Sequence, residues 1–306
     1  MAETVTPDLC VIGAGLGGLA AAHEARRLGA SVVLVERDRL GGEHLNTGAI
    51  PSRALASAAA QAAAMRAAAP FGIAAEEPRV NARKVHDGVE QVIAALAPAD
   101  SAARLEALGI RVIMAEAGFV DAATVAAGDL HIKARRFVVA TGSRPEPPLL
   151  QGLEAVPYFT TETIFDNTRK LTHLVVLGAD ALGLELAQSH ARLGAEVTVL
   201  DKGTALSGTD PELAAVALQR LREEGVDIRE GTEVVEVQSR SQGIGVLVRT
   251  GDREDRLDAS HVLVAAGRVP DIEALNLRSA GVRFRRDDPR QLELGAAGRS
   301  SNRRVF

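Results

Sequence analysis

Apolar runs and polar breaks follow one another along this chain in an order that occurs twice. In "LCVIGAGLGGLAAAHEARRLGASVVLVER" (9–37) a short apolar run meets a glycine turn, a longer helical pattern and a second apolar run. The pattern predicts strand, turn, helix and strand, with the helix starting near Leu16. The same order returns in "LVVLGADALGLELAQSHARLGAEVTVLDK" (174–202), and the two stretches align without a gap at an offset of 165. Gly13, Ala14, Gly18, Leu19, Ala22, Arg27, Leu28, Gly29, Ala30 and Val32 match Gly178, Ala179, Gly183, Leu184, Ala187, Arg192, Leu193, Gly194, Ala195 and Val197. Two further apolar runs, "FVVATGSRP" (137–145) and "VLVAAGRVP" (262–270), each enter a small-residue turn followed by Gly, Arg and Pro. One follows each repeat, so each predicts a strand that returns the chain to its sheet. The Ala-rich segment 54–69, interrupted by Gln61 and Arg66, predicts a soluble helix, and "KVHDGVEQVIAAL" predicts another that carries His86 as a packing or surface residue.

The fold class that follows is α/β, with two Rossmann-like dinucleotide-binding domains. A length of 306 residues agrees with about two domains. Hydrophobic and charged fractions of 46% and 25% are those of a soluble globular protein. The formal charge of −5, with no compensating basic block, argues against nucleic acid. No apolar stretch approaches the roughly 18 residues that span a bilayer, and "MAETVTPDLC" lacks a secretory pattern. These features predict a cytoplasmic protein without a membrane partner. The single cysteine, Cys10, sits inside an apolar run and predicts a buried structural thiol; it excludes an intramolecular disulfide.

In the first repeat Gly13 permits the tight turn, Gly15 lets backbone approach a pyrophosphate, and Gly18 lets helix pack on strand. The helix then aims its N-terminal amides at the phosphates. Glu36 ends the second strand, 23 residues after Gly13, where a carboxylate can accept hydrogen bonds from an adenosine ribose. The second repeat keeps Gly178 and Gly183 but has Asp180 at the middle position, where a carboxylate should obstruct and repel a pyrophosphate. Asp201 ends its second strand and suits an unphosphorylated ribose, so NADH is expected over NADPH, with Lys202 beside it pulling the other way.

With "VIGAGLGGL", "GGEHLNTGAIPSR" (41–53), "VVATGSRP", "ETIF" (162–165), "GLELA" (183–187) and "AAGRVPD" (265–271) in order, the chain resembles the FAD-dependent pyridine nucleotide-disulfide oxidoreductases, in the branch of dihydrolipoamide dehydrogenase and mercuric reductase. The resemblance implies an FAD domain over 1–146 with a helical excursion at about 51–109. It implies an NAD(P) domain over 147–268 and a return to the FAD domain over 269–306. It places FAD at Gly13, Gly15, Gly18, Glu36, Arg37, Gly42, Thr141 and Gly142. NAD(P)H falls at Gly178, Gly183, Asp201 and Gly267, and Arg53 and Glu185 form a pair beside the flavin. Arg53 stands where the family has Lys, which exchanges a point donor for a planar fork.

In such enzymes the flavin reduces a Cys-x4-Cys disulfide, and the two sulfur positions fall on His44 and Ala49. A thiolate would suit position 49, because Pro51 begins a helix and a helix N-terminus lowers a thiol's pKa. Neither residue present can take two electrons, so the internal disulfide relay is absent. His44 retains the capacity to move protons, and Arg53, Glu185 and His44 are the residues left for chemistry. No second His or Cys lies at ligand spacing from His44, so no metal is expected. The resemblance then implies an FAD-dependent oxidoreductase that takes electrons from NAD(P)H and passes them to another small-molecule acceptor. Its alternative is a catalytically inactive nucleotide-binding remnant or fragment of such an enzyme. The closing "GRSSNRRVF" resembles the family strand that precedes a flavin-binding Gly-Asp turn. The interface domain that follows in relatives lies outside this sequence, which argues against a homodimer of the family type.

Overall fold

The computed structural model describes residues 3–306. Contacts divide them into two units: one holds residues through Asn46, Ile93–Arg144 and Arg268–Phe306, the other Thr47–Val92 and Pro145–Gly267. The helical excursion expected at about 51–109 is therefore shared, its part through Val92 grouping with the second unit.

The first unit is built on a parallel sheet in the order Ile110–Met114, Val32–Glu36, Leu9–Ile12, Arg136–Val139. Its inner strands are rich in Val, Ile and Leu because both faces are covered, and Val32, Val33, Leu34 and Val35 are all buried. From Leu9–Ile12 the chain first moves to one side, through the helix Leu16–Arg27 to Val32–Glu36, and later to the other side at Arg136–Val139. The order reverses at the carboxyl end of Leu9–Ile12, the place where open α/β sheets bind ligands. A second sheet, Glu3–Val5, Leu130–Ile132, Thr124–Ala127 and Ala117–Asp121, supplies the other half of the core. There the rings of Phe119 and Phe137 meet edge to face, 5.1 Å apart. The last residues lie beside Arg136–Val139. The Phe137 amide donates to the Arg304 carbonyl (2.7 Å), the Val139 amide donates to the Phe306 carbonyl (2.8 Å), and Val305 is buried.

The second unit repeats the plan. Its parallel sheet runs Val226–Arg229, Glu196–Leu200, His173–Leu177, His261–Val264, Phe159–Thr160, so the same reversal falls beside His173–Leu177. A three-stranded antiparallel sheet, Thr232–Ser239, Ile244–Thr250 and Arg253–Ala259, closes its core. The Ala-rich helix Ala49–Arg66 starts two residues before Pro51 and packs against Ala181–Arg192. Buried Ala59 and Ala62 bring no long side chains to that face, and Arg66 donates to the Arg192 carbonyl at 2.6 Å. Among the described residues no helix is long and apolar enough to cross a membrane.

Candidate nucleotide sites and the loop between them

The two glycine turns are geometrically equivalent. Gly13 has φ +101° and Gly178 φ +109°, a region that favours glycine. A methyl group built on Gly13 would stand 2.4 Å from the Ala140 carbonyl oxygen, and one on Gly178 2.4 Å from that of Ala265. Gly18 and Gly183 press in the same way on the carbonyls of Gly13 and Gly178. Each turn is thus wedged against the strand end that follows its own repeat, and at Ala265 the side chain is close as well, 3.2 Å from a methyl group built on Gly183.

The terminal acids also behave alike. Glu36 accepts from the Ala14 amide (2.7 Å) through one oxygen and from the Asp38 amide (2.9 Å) through the other. Asp201 accepts from the Ala179 amide (2.8 Å) and the Gly203 amide (2.7 Å). Both carboxylates are fixed at the strand end, where acceptors for ribose hydroxyls are needed.

The turns differ at their middle position. Gly15 caps the helix Leu16–Arg27 without any side-chain hydrogen bond, and a methyl group built on it or on Gly17 would meet nothing within 4 Å. Open space over uncapped helix amides is what a pyrophosphate requires, so the first turn fits FAD. Asp180 instead caps Ala181–Arg192 with its own carboxylate, accepting from the Gly183 amide at 2.8 Å. That carboxylate stands where a pyrophosphate would draw on the helix. The second turn as it stands does not fit a dinucleotide without displacement of the Asp180 side chain.

Around the first turn, Gly42 (φ +55°) comes so close that a methyl group on it would stand 2.6 Å from the Gly15 Cα. The Gly41 amide donates to the Ala14 carbonyl at 3.0 Å. Asn46 holds this part of the loop by donating to the carbonyls of Leu40 (3.1 Å) and Gly42 (2.8 Å). His44 lies half-buried on the short helix Gly42–Asn46, and its ring has no hydrogen bond among the described residues. Arg37 is taken up by Asp271, whose amide donates to the Gly142 carbonyl at 3.0 Å. Asp271 thereby links two expected FAD residues, Arg37 and Gly142, and Thr141 lies half-buried beside them. Arg268 donates to Glu43 (3.0 Å) and to the Ser143 hydroxyl and carbonyl (2.8 and 2.6 Å).

The rest of the loop belongs to the second unit. Arg53 and Glu185 do approach each other, at 3.9 Å, with side chains 81% and 31% exposed. At that distance and exposure the pair is loose. Ser52, buried beside it, is the better-placed partner: its hydroxyl is 3.2 Å from Glu185 Oε1 and 3.3 Å from the Ala49 carbonyl. Gly267, φ +137°, receives the Glu146 amide on its carbonyl at 3.2 Å. Ser52, Asp271, Glu43 and Arg268 were not singled out from the sequence. Ser52 next to Arg53 and the Asp closing "AAGRVPD" were the available signals. Cys10 is fully buried, and burial pushes its thiol up to about 12.

The family model described as pyridine nucleotide-disulphide oxidoreductase matches residues 7–306. A mercuric reductase of Streptomyces lividans is 34% identical over 282 residues, covering 90% of this chain and 60% of that protein. A dihydrolipoyl dehydrogenase of Geobacillus stearothermophilus is 32% identical over 291 residues, covering 92% of this chain and 60% of that protein. The solved HOCl-induced flavoprotein disulfide reductase RclA from Escherichia coli gives a TM-score of 0.83 at 21% identity, covering 98% of this chain and 65% of that one, a likeness of fold. The chain spans about 51–60% of the length of the curated relatives it matches. With its doubled glycine turns and a match along nearly its whole length, the chain belongs to the pyridine nucleotide-disulphide oxidoreductase family.

Proposed function

We propose that this chain binds FAD at its first turn, accepts electrons from NADH and passes them to a small-molecule acceptor, not to an internal disulfide. The observation that carries the reading is the open first turn, where Gly15 leaves the helix amides free of any side-chain cap while Glu36 is already fixed for a ribose. Bound there, FAD would supply two-electron chemistry between nicotinamide and acceptor. Gly13, Gly15 and Gly18 would hold its pyrophosphate, Glu36 its ribose, and the Arg37–Asp271–Gly142 linkage the wall beside them. Once the Asp180 side chain is displaced, Asp201 would favour NADH, because a 2′-phosphate would face a fixed carboxylate. His44 and Ala49 leave no sulfur for the relay; His44 remains a proton carrier.

The self-cap of Asp180 favours a second reading, a nucleotide-binding protein that has ceased to turn over. One experiment separates them. The purified chain is loaded with FAD and titrated with NADH without oxygen. Loss of the flavin's visible absorbance supports the oxidoreductase; a bound flavin that stays oxidised, or failure to retain FAD, overturns it and supports the retired protein.

A further inference from the structure

The second unit contains a cavity that the nucleotide chemistry does not use. It lies between Leu55 of the helix Ala49–Arg66, residues 80–89, residues 164–171 and the end of the helix Ala181–Arg192. About 50 Å³ of it is open to the centres of water-sized molecules, and the empty space out to the solvent at its wide mouth is about 580 Å³. Leu55, Val85, Val89, Ile164, Leu171 and Leu193 make its apolar wall. An apolar pocket with a few converging polar groups is the usual form of a small-molecule site.

The polar groups here have a definite sign. No Asp or Glu lines the cavity, whereas Arg169 and Lys170 do, both exposed. Neither has an ion-pair partner among the described residues, and the unneutralised charge of Arg169 reaches His261, whose pKa is lowered by burial and then by that charge. Two free cations beside an apolar wall suit a carboxylate on an apolar body.

His190 adds an independent requirement. It lines the cavity at 8% exposure, and its buried Nε2 has no hydrogen-bond partner among the described residues. Buried polar atoms are nearly always paired, so an orphan nitrogen marks a place for a ligand group. Burial first, then nearby His261, lowers the His190 pKa to about 4, so the ring is neutral at neutral pH. A neutral imidazole nitrogen donates or accepts according to tautomer, and a hydroxyl answers either.

We propose that this cavity binds a small aromatic acid bearing a ring hydroxyl, with its ring against the apolar wall, its carboxylate toward Arg169 and Lys170 and its hydroxyl on His190 Nε2. No lining residue belongs to either glycine turn, so the site does not depend on the flavin reading. The test is calorimetric titration of the intact protein with 4-hydroxybenzoate and with benzoate. The expected result is saturable binding of both, the hydroxylated acid tighter by about threefold or more. His190→Phe should abolish that preference while retaining benzoate. Arg169→Ala combined with Lys170→Ala, at exposed positions that do not threaten folding, should weaken both acids about tenfold. Absence of saturable binding up to about 10 mM, equal affinity for the two acids, or indifference to loss of both cations would each overturn the site. An imidazole that holds only water would give the second of these results.

Discussion

Asp180 and Gly15 occupy equivalent places before equivalent helices, and the difference between them is one carboxylate. At the first turn no side chain caps the helix amides; at the second, Asp180 accepts from the Gly183 amide. Two substitutions divide the effect of the charge from that of the cap. Asp180→Asn keeps an oxygen for the Gly183 amide and removes the repulsion, whereas Asp180→Gly also clears the space and costs the helix only a few tenths of a kcal/mol. NADH should bind about tenfold more tightly to Asp180→Gly and by a smaller factor to Asp180→Asn, as measured by calorimetry; equal, unchanged affinities would show that the cap is no barrier. This residue was legible from the spacing of three glycine positions. A signal for its cap was there too, since an Asp directly before a helix is a favoured N-cap that accepts from the amide three residues on.

At the scale of the element, the helix Ala181–Arg192 carries chemistry at both ends of very different kinds. Its start faces the nucleotide turn; its last turn carries His190 into the core, together with Arg192, whose guanidinium donates to Glu224 at 2.7 and 2.8 Å. A cation would gain from the dipole at that helix end, but desolvation wins for His190 and holds its pKa at about 4 against 6.5. The unfolded chain therefore binds a proton between those two values that the folded one refuses. His190 stabilises fully above pH 6.5, and its contribution is lost as pH falls from 6.5 to about 4. Unfolding free energies from denaturant titrations across that range should fall with acidity by up to about 1.4 kcal/mol per pH unit, and His190→Phe should flatten the profile. A variant with the same slope would assign the acid sensitivity elsewhere. Glu224 begins to act at the acid end of that window: hydrogen bonding to Arg192 lowers its pKa, so its contribution is present above 4.5 and disappears as pH drops through the lowered value. The period of the helix was readable in advance. The fate of its His was not, since the cavity that it lines is shared with residues 55, 85 and 164, distant in sequence.

For the molecule as a whole, duplication was the strongest message in the sequence, and the two sheets repeat one strand order as the gapless alignment implied. What periodicity could not show is where the intervening chain settles. The segment through Val92 groups with the second unit because Ala49–Arg66 lies on Ala181–Arg192, a contact between helices some 130 positions apart. Ser52 and Glu185 meet for the same reason. The units carry separate reporters, the cysteine in one and His190 in the other. Native Cys10, fully buried with its thiol near 12, should resist a neutral thiol reagent and become labelled only as the first unit opens, so labelling rate against denaturant measures that unit alone. Rapid labelling of the folded protein would mean that the strand Leu9–Ile12 is far more open than its packing indicates.

The placement of the last three residues also has a practical side. Phe306 runs parallel to Arg136–Val139 and ends level with Val139, one residue before the Ala140 carbonyl that Gly13 presses against. Val305→Asp, placing a charge in that buried edge, would therefore loosen the strand whose next carbonyl Gly13 rests on, and flavin retention should fall although no nucleotide residue has changed. Flavin content in such a variant reports the strand edge as much as the glycines themselves.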